Sequence, residues 1–186
     1  LNNIIEDRDC NDIQKQIKEV NSGTYIVDNK NFYKNLDKIQ INTRSSEYYL
    51  TDIVKIMQKK YKVSVFKARN NFEFMGVNTL HQVSLAEKYL RRMINRSMME
   101  SGVSMVNPDT ITIGHDVIIE EGVRILPNTT ISGNTHIKRN SVIGPNTELN
   151  DAMIEENCVV KHSLVFDSYI SKNSKIGPFS HIRDKT

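Results

Sequence analysis

The sequence predicts a mixed architecture: a short α/β region, one long helix, and a parallel β-helix. Three observations carry this prediction. Strand-like and helix-like stretches alternate over residues 1–77. Apolar residues with a helical period follow over residues 78–101. From about residue 111 onward, apolar residues recur every six positions, which is the period typical of a parallel β-helix.

The first region, residues 1–77, has an α/β pattern. LNNIIE, TYIVD and KVSVFKA are predicted strands, because they are rich in β-branched residues or alternate in polarity. NKNFYKNLDKIQ and SEYYLTDIVKIMQK are predicted helices. In the second, Tyr49, Ile53 and Ile56 share one face, and Ser46 is a plausible N-cap. Two or three strands with two helices would leave a parallel sheet half-covered.

The clearest helix is predicted over residues 78–101. Gly102 stands where a glycine commonly ends a helix. Four basic side chains form its polar face, which we interpret as a solvated surface: Lys88, Arg91, Arg92 and Arg96.

A six-residue spacing governs the rest of the chain. An aliphatic residue recurs at each step, and four residues later comes a small or β-branched residue in nearly every hexad; the aliphatic positions are Ile113, Ile119, Ile125, Ile131, Ile137, Ile143 and Leu149. Each hexad should supply one short strand and one corner, so that three hexads close a coil. Ile113, Ile131 and Leu149 should therefore stack, as should Ile125 on Ile143. The phase slips after Leu149 and again through HSLVFDS. Residues 113–186 would make roughly four coils.

Composition excludes several classes of protein. The chain has 186 residues, of which 38% are hydrophobic and 25% charged, as in soluble globular proteins. No apolar run approaches the roughly 18 residues of a membrane span, and the start of the chain lacks the features of a signal peptide. The net charge of +3 does not argue for nucleic-acid binding. We therefore expect a cytoplasmic protein with no membrane or nucleic-acid partner. We also expect Cys10 and Cys158 to be free thiols.

Four ordered stretches carry a resemblance to a known family. They are EVNSGTY at 19–25, SEYYLTDIV at 46–54, EFMGVNT at 73–79 and SKIGPFSHIR at 174–183. Together with the hexads, they resemble the bifunctional bacterial enzymes of UDP-N-acetylglucosamine synthesis, the GlmU type. The resemblance implies three segments: the C-terminal part of a nucleotidyltransferase-like uridyltransferase domain over 1–77, a connecting helix over 78–102, and the start of a left-handed β-helix acetyltransferase domain over 103–186.

The same resemblance implies two reactions and an assembly. Glucosamine-1-phosphate would be N-acetylated by acetyl-CoA, and uridylyl would then pass from UTP to N-acetylglucosamine-1-phosphate with Mg²⁺. Such enzymes are typically homotrimers. The family's glycine-rich L-x-x-G-x-G-T-R-M loop and its later acetyltransferase coils have no counterpart in the sequence. We therefore expect the chain to correspond to the middle of such an enzyme, to contain no catalytic residue, and to be inactive by itself.

Four residues match binding positions of the family. Glu6 and Asn21 match sugar-contacting positions, and Asn78 matches the position that contacts UDP-N-acetylglucosamine and helps hold Mg²⁺. A carboxylate accepts hydrogen bonds from hydroxyls, and an amide oxygen is a suitable hard ligand for Mg²⁺. Arg183 matches an arginine that binds the sugar phosphate in the acetyltransferase site, where a guanidinium can make two parallel hydrogen bonds. Asp184 and Lys185 depart from the proline and glycine usual after that arginine.

Each of these residues also has a structural interpretation. Glu6 lies among other acidic residues, Asn21 begins the turn-like NSG, and Asn78 or Thr79 could cap the long helix. Arg183 could be an ordinary surface residue. His181 is interpreted as solvated rather than as a general base.

Two rival functions stay open from the sequence. One is a non-catalytic β-helix that serves as a trimerisation or scaffold module. The other is a sugar-1-phosphate nucleotidyltransferase of different specificity. GVN with the upstream Glu6 and Asn21 favours an enzyme over a scaffold, because a scaffold needs no sugar-nucleotide pocket.

Overall fold

The computed structural model describes Leu1 and residues 3–183, except for the side chain of Asn71. The chain divides into two compact units, with the boundary between Gly76 and Val77. Among the described residues, no helix is long and apolar enough to cross a membrane. Cys10 and Cys158 are both free, as predicted.

The first unit is built around one short helix. Helix α1 spans Asn29–Leu36 and helix α2 spans Asp52–Gln58, and 3-10 turns cover Asp7–Asp9, Gln14–Gln16 and Asn71–Phe74. Ile53, Val54 and Met57 of α2 form the buried core. Partly buried residues from across the unit pack on it: Ile4, Tyr25, Phe32, Ile39, Tyr61 and Val63. This core is small, and long stretches of the unit pack against it through only one or two side chains.

The three strands predicted for this unit do not form among the described residues. The extended pairing there is limited to one antiparallel bridge, between Ile41 and Tyr48. A strand is stable when a neighbouring strand pairs with its N–H and C=O groups, and residues 24–28 and 62–68 have no such neighbour in the described chain. Ile26 and Phe66 are accordingly exposed. The nucleotidyltransferase-like sheet expected from the sequence is therefore not seen.

Helix α2 is also shorter than predicted. It begins at Asp52 with Thr51 as its N-cap, and Ser46 is not a cap but adopts a left-handed conformation with φ of 58°. The bridge between Ile41 and Tyr48 holds the chain extended shortly before α2 begins. The side chain of Asn42 accepts hydrogen bonds from the backbone N–H groups of Arg44 and Ser45, which stabilises the turn instead of a helix.

The second unit begins with the predicted long helix. Helix α3 spans Leu80–Glu100, and Thr79 is its N-cap in a reciprocal capping box with Gln82. Gly102 follows with φ of 95°, the conformation expected of a terminating glycine. Ile94 and Met98 pack against the β-helix core. The buried Asn95 donates hydrogen bonds from Nδ2 to the carbonyls of Pro108 and Ile111, at 2.8 and 2.9 Å. Helix α3 thus covers the first coil.

A parallel β-helix follows, with three sheets formed by strands of two to four residues. A 3-10 turn at Pro108–Thr110 lies between the first two strands. The strands are β1 Ser104–Met105, β2 Thr112–Ile113, β3 Ile118–Ile119, β4 Arg124–Ile125, β5 Thr129–Ser132, β6 His136–Ile137, β7 Val142–Ile143, β8 Thr147–Asn150, β9 Met153–Ile154, β10 Val159–Val160, β11 Leu164–Phe166, β12 Tyr169–Ile170, β13 Lys175–Ile176 and β14 His181–Ile182. Sheet one runs β1-β4-β7-β10-β13, sheet two β2-β5-β8-β11-β14, and sheet three β3-β6-β9-β12.

The predicted stacking of isoleucines is confirmed. Ile113 pairs with Ile131 and Ile131 with Leu149, while Ile125 pairs with Ile143. Ile131 and Ile143 are fully buried. Past Leu149 the coils become shorter. Leu149 pairs with Val165, which lies sixteen residues later, whereas Ile131 and Leu149 are eighteen residues apart. This shorter coil accounts for the slipped phase.

The β-helix has about five coils rather than four. The additional coil comes first, where β1 pairs with β4 in register, Ser104 with Arg124 and Met105 with Ile125. Hexad spacing could not predict it, because this coil departs from the isoleucine repeat and contains the 3-10 turn.

The corners of the coils use two recurring devices. Buried hydroxyls bond to the backbone: Thr135 Oγ1 donates to the carbonyl of Ser132 at 2.6 Å and accepts from the N–H of Ala152 on the next coil at 3.2 Å. Left-handed residues allow the turn before each strand of sheet one, and asparagine occupies three of these positions: Asn140, Asn157 and Asn173. Asparagine suits them because its short polar side chain tolerates positive φ.

The Ile131→Ala variant tests the stacked core. Loss of a fully buried isoleucine should lower the free energy of unfolding by about 2–5 kcal/mol, because it removes apolar contacts and leaves a cavity. The adjacent Thr130→Ala variant is the control, since Thr130 lies on the same strand with its side chain exposed, and its change should stay within about 0.5 kcal/mol. Urea unfolding followed by circular dichroism measures both; equal losses would contradict the model of the core.

Candidate functional site

A small polar cavity in the first unit surrounds one of the four sequence-predicted residues. It measures about 140 Å³, and its lining includes Glu6, Asp9, Asn42, Tyr49 and Thr51. Thr51 Oγ1 donates to Glu6 Oε1 at 2.9 Å, and Asn42 Nδ2 donates to Asp9 Oδ2 at 3.1 Å. Each carboxylate thus accepts a hydrogen bond from a neutral donor, Asp9 also lies 3.9 Å from the Arg44 guanidinium, and both can accept further hydrogen bonds.

Tyr49 gives this cavity an unsatisfied group. Its hydroxyl oxygen is buried and has no hydrogen-bond partner among the described residues, although it can donate and accept. An unpartnered buried hydroxyl is costly, by about 1–3 kcal/mol, and calls for a bound water or ligand. Carboxylates, hydroxyls and an amide around one small space are suited to a neutral polar ligand with several hydroxyl or amide groups.

Asn21 does not line this cavity. Its Nδ2 donates to the hydroxyl of Tyr25 at 2.7 Å, and its Oδ1 accepts from the N–H of Gly23 at 3.3 Å. The structural interpretation as a turn residue is thus correct for its local geometry, and the structure does not bring its side chain together with Glu6.

Asn78 belongs to the second unit and immediately precedes the helix cap. Its backbone N–H donates to Gln82 Oε1 at 2.7 Å, and Thr79 rather than Asn78 provides the cap. The Asn78 side chain is exposed. Thr79 therefore fulfils the capping role, which leaves the Asn78 amide available for a ligand.

Arg183 follows the last described strand, β14. Ile182 of that strand packs on the β-helix core, so by alternation Arg183 and His181 point outward on sheet two. Both residues are exposed.

A network of charged side chains lies elsewhere in the second unit, on the edge of sheet three. Lys138 Nζ contacts Glu155 Oε1 at 2.6 Å, and the Glu155 side chain is only 7% exposed. This hydrogen bond lowers the pKa of Glu155, assisted by the charge of Lys138 and a hydrogen bond from Tyr169, and it raises the pKa of Lys138. These side chains come from three successive coils, so the network joins coils.

Glu120 has a similar role one coil earlier. Its carboxylate accepts from the backbone N–H of Arg139 at 3.1 Å and contacts His136 Nε2 at 3.2 Å. The Arg139 backbone is the main cause of the lowered pKa of Glu120, with His136 adding to it. Across the residues that the structure describes, no group of three or more His, Cys, Asp or Glu is placed to hold a metal ion. We therefore interpret these charges as structural.

Comparison with known proteins defines the class of the second unit. Residues 116–151 match the model of the bacterial transferase hexapeptide, described as six repeats. Together with the three parallel sheets, this match defines a β-helix of the hexapeptide-repeat type.

More specific matches extend over nearly the whole chain. It is 52% identical over 184 residues to the bifunctional protein GlmU of Acholeplasma laidlawii, which is 99% of this chain and 40% of that protein. It is 38% identical over 184 residues to bifunctional protein GlmU of Clostridium novyi and 39% to that of a serotype V strain of Streptococcus agalactiae, each match spanning 98% of this chain and 40% of the relative. The resemblance to the GlmU type is thus confirmed, and the chain spans about 40% of the length of these relatives.

Sequence reasoning missed Tyr49 and Thr51 as candidate site residues. The helical spacing predicts Tyr49 on the apolar face of a helix, and Thr51 has no separate sequence signal. Both lie in EYYLT, one of the stretches that carry the resemblance. They lie near Glu6 because Thr51 and Glu6, which are 45 residues apart in the sequence, are in contact. The spacing of residues along the sequence does not reveal such a contact.

The Glu155→Gln variant tests the network at sheet three. Because the folded pKa of Glu155 is lowered, its contribution to stability is present above the unfolded pKa of about 4.3 and is lost as the pH falls through the folded value. The variant should be less stable at neutral pH and should lose less stability on acidification than the unchanged chain.

Thermal unfolding between neutral and acidic pH measures this difference. Glu121→Gln is the control, because Glu121 lies at the same edge but is exposed and outside the network. If both variants kept the acid dependence of the unchanged chain, the Lys138–Glu155 pair would not contribute.

Proposed function

We propose that the chain is part of an enzyme that makes UDP-N-acetylglucosamine in two steps. Glucosamine-1-phosphate is N-acetylated by acetyl-CoA, and N-acetylglucosamine-1-phosphate then receives uridylyl from UTP with release of pyrophosphate. The observation that carries this proposal is the 52% identity to a bifunctional GlmU protein along 99% of the chain. A shared stretch of this length and identity covers both the EYYLTD and the IGPF segments.

The cavity around Glu6 is proposed as part of the sugar-nucleotide site. Its volume of about 140 Å³ is below the roughly 300–1,000 Å³ usual for whole ligand pockets, so it would receive one portion of the ligand, such as a sugar hydroxyl or the acetamido group. Glu6 would accept a hydrogen bond from the sugar, and the Tyr49 hydroxyl would gain its missing partner. Asn21 would contribute through its amide if its bond to Tyr25 opens on binding.

Asn78 is proposed to contact UDP-N-acetylglucosamine and to help hold Mg²⁺. Mg²⁺ takes few protein oxygens and completes its shell with waters and substrate phosphates, so a single exposed amide oxygen fits this role. When bound, the ion would neutralise charge on the transferring phosphates. Asn78 itself would orient the ligand.

Arg183 is proposed to bind the phosphate of the sugar substrate in the acetyltransferase reaction. Its guanidinium is exposed on the outer face of sheet two and can form a bidentate contact with phosphate. We expect binding without turnover from this chain alone, because its sequence shows no counterpart of the family's nucleotide loop. Pyrophosphate release from UTP and N-acetylglucosamine-1-phosphate by the purified chain would contradict this expectation.

We also propose that the β-helix assembles as a homotrimer through sheet three. The outer face of this sheet carries a column of aligned side chains that is largely apolar: Ile118, His136, Met153 and Tyr169. Ile118 is 58% exposed and Tyr169 is 55% exposed, which is unfavourable for an isolated molecule. Burial of this column between copies would remove that apolar area from water.

Substitutions around the cavity test the sugar-nucleotide site. Glu6→Gln should weaken binding of UDP-N-acetylglucosamine roughly tenfold, because a hydrogen bond to a charged group is lost. Glu47→Gln is the matched control, since Glu47 pairs with Arg8 on the surface. Isothermal titration calorimetry measures both; equal affinities for Glu6→Gln and the unchanged chain would contradict the assignment.

The proposed trimer is tested by Ile118→Glu. A charge at the first position of the apolar column should dissociate the assembly to monomers, because the buried carboxylate would lack a partner. Thr112→Glu, on the exposed face of sheet two, should leave the trimer intact. Sedimentation velocity distinguishes these species, and a monomer for the unchanged chain would rule out self-association by this face.

A further inference from the structure

The outer face of sheet two presents a histidine beside the proposed phosphate-binding arginine. His181 and Arg183 are two residues apart at the end of the chain's last described strand, so both project to the same side. Alternate residues on a strand lie about 6.6–6.8 Å apart, which is close enough for two long side chains to reach one phosphate group. Ile182 between them points into the core and fixes this orientation.

The ring of His181 is held in place by an aromatic neighbour. His181 and Phe166 meet edge to face, with ring centroids 5.6 Å apart and planes at 83°. Phe166 belongs to β11, which pairs with β14 so that Leu164 faces His181 and Val165 faces Ile182. The backbone just before β14 is also held in place, because the carbonyl of Ser180 accepts a hydrogen bond from the N–H of Leu164 at 2.9 Å. The imidazole is therefore oriented before any ligand arrives.

The nitrogen atoms of this ring have no hydrogen-bond or ion-pair partner within the described chain. Two acidic side chains lie near this part of sheet two. Glu148 is on β8 and pairs with Leu164, and Asp167 follows Phe166 in the sequence. Neither makes an ion pair with His181 among the described contacts. An oriented imidazole with free nitrogens next to an exposed guanidinium is suited to an anion, because imidazolium and guanidinium both give charge-assisted hydrogen bonds to phosphate oxygens.

We propose that His181 is a second phosphate-binding side chain, which acts with Arg183 on the phosphate of the amino-sugar substrate. This inference rests on the proposed function of Arg183 and adds a residue to that site. Arg183 would take two phosphate oxygens with its fork, while His181 would donate to a third from the side. Phe166 would serve as a positioning residue that keeps the imidazole from turning away.

Three substitutions at residue 181 separate charge from shape. With glucosamine-1-phosphate as the probe, His181→Gln should weaken binding about tenfold, since glutamine keeps a donor but cannot become a cation. His181→Lys should restore most of the affinity, because it returns a cation at the same position. His181→Leu should weaken binding at least as much as His181→Gln. A merely structural role would give no rescue by lysine.

Two further variants make the outcome unambiguous. His115→Gln removes an exposed histidine elsewhere on the β-helix and should leave the affinity unchanged. Arg183→Gln tests the proposed function itself and should abolish detectable binding. Titrations followed by two-dimensional nuclear magnetic resonance report affinity and show which imidazole signals move; inorganic phosphate in place of the sugar phosphate shows whether the phosphate alone suffices.

The results distinguish failure of this inference from failure of the proposed function. If Arg183→Gln abolishes binding but His181→Gln behaves like His115→Gln, the inference is wrong and the role of Arg183 stands. If neither variant differs from the unchanged chain, or if the unchanged chain shows no ligand-induced shift, both assignments are overturned.

Discussion

The β-helix depends on one interaction, the stacking of each coil on the next. Parallel backbone hydrogen bonds join successive coils, as from the N–H of Leu126 to the carbonyl of Ile143 at 2.8 Å. The same stacking places one isoleucine directly over another, and each buried aliphatic side chain stabilises the fold by roughly 1.5–3 kcal/mol. Because every coil contacts only its neighbours, the energy accumulates along the axis and the outer face is left free to vary. The proposed ligand and subunit contacts accordingly lie on that outer face.

An end of such a structure exposes stacked apolar residues and unpaired backbone groups, and here helix α3 covers the first coil. Ile94 and Met98 supply the apolar cover, while Asn95 donates hydrogen bonds to the carbonyls of Pro108 and Ile111. The Oδ1 atom of Asn95 is itself buried without a partner among the described residues. The cap thus combines close apolar packing with a buried amide whose donor group is satisfied and whose acceptor is not.

The first unit is stabilised by different interactions. Its buried core consists of three residues of α2, so most of its chain is held by side-chain hydrogen bonds and a few partly buried contacts. The cavity around Glu6 exists because such a unit is loosely packed and because Thr51 and Asn42 orient the neighbouring carboxylates. A polar cavity of this kind is suited to recognition, whereas the interior of the β-helix is lined by buried aliphatic side chains.

The sequence by itself determined the β-helix, because its period is local and repeated: the register of Ile113, Ile131 and Leu149 follows from counting residues. It also determined helix α3, whose cap and terminating glycine are adjacent to the helix they define. Only the tertiary structure decided the rest. The predicted strands of the first unit needed partners that pattern cannot supply, the first coil depended on pairing of β1 with β4, and Tyr49 and Thr51 met Glu6 across a long stretch of chain. Local periodicity encodes which face of an element is buried, but contacts between distant segments depend on the free energy of the whole fold.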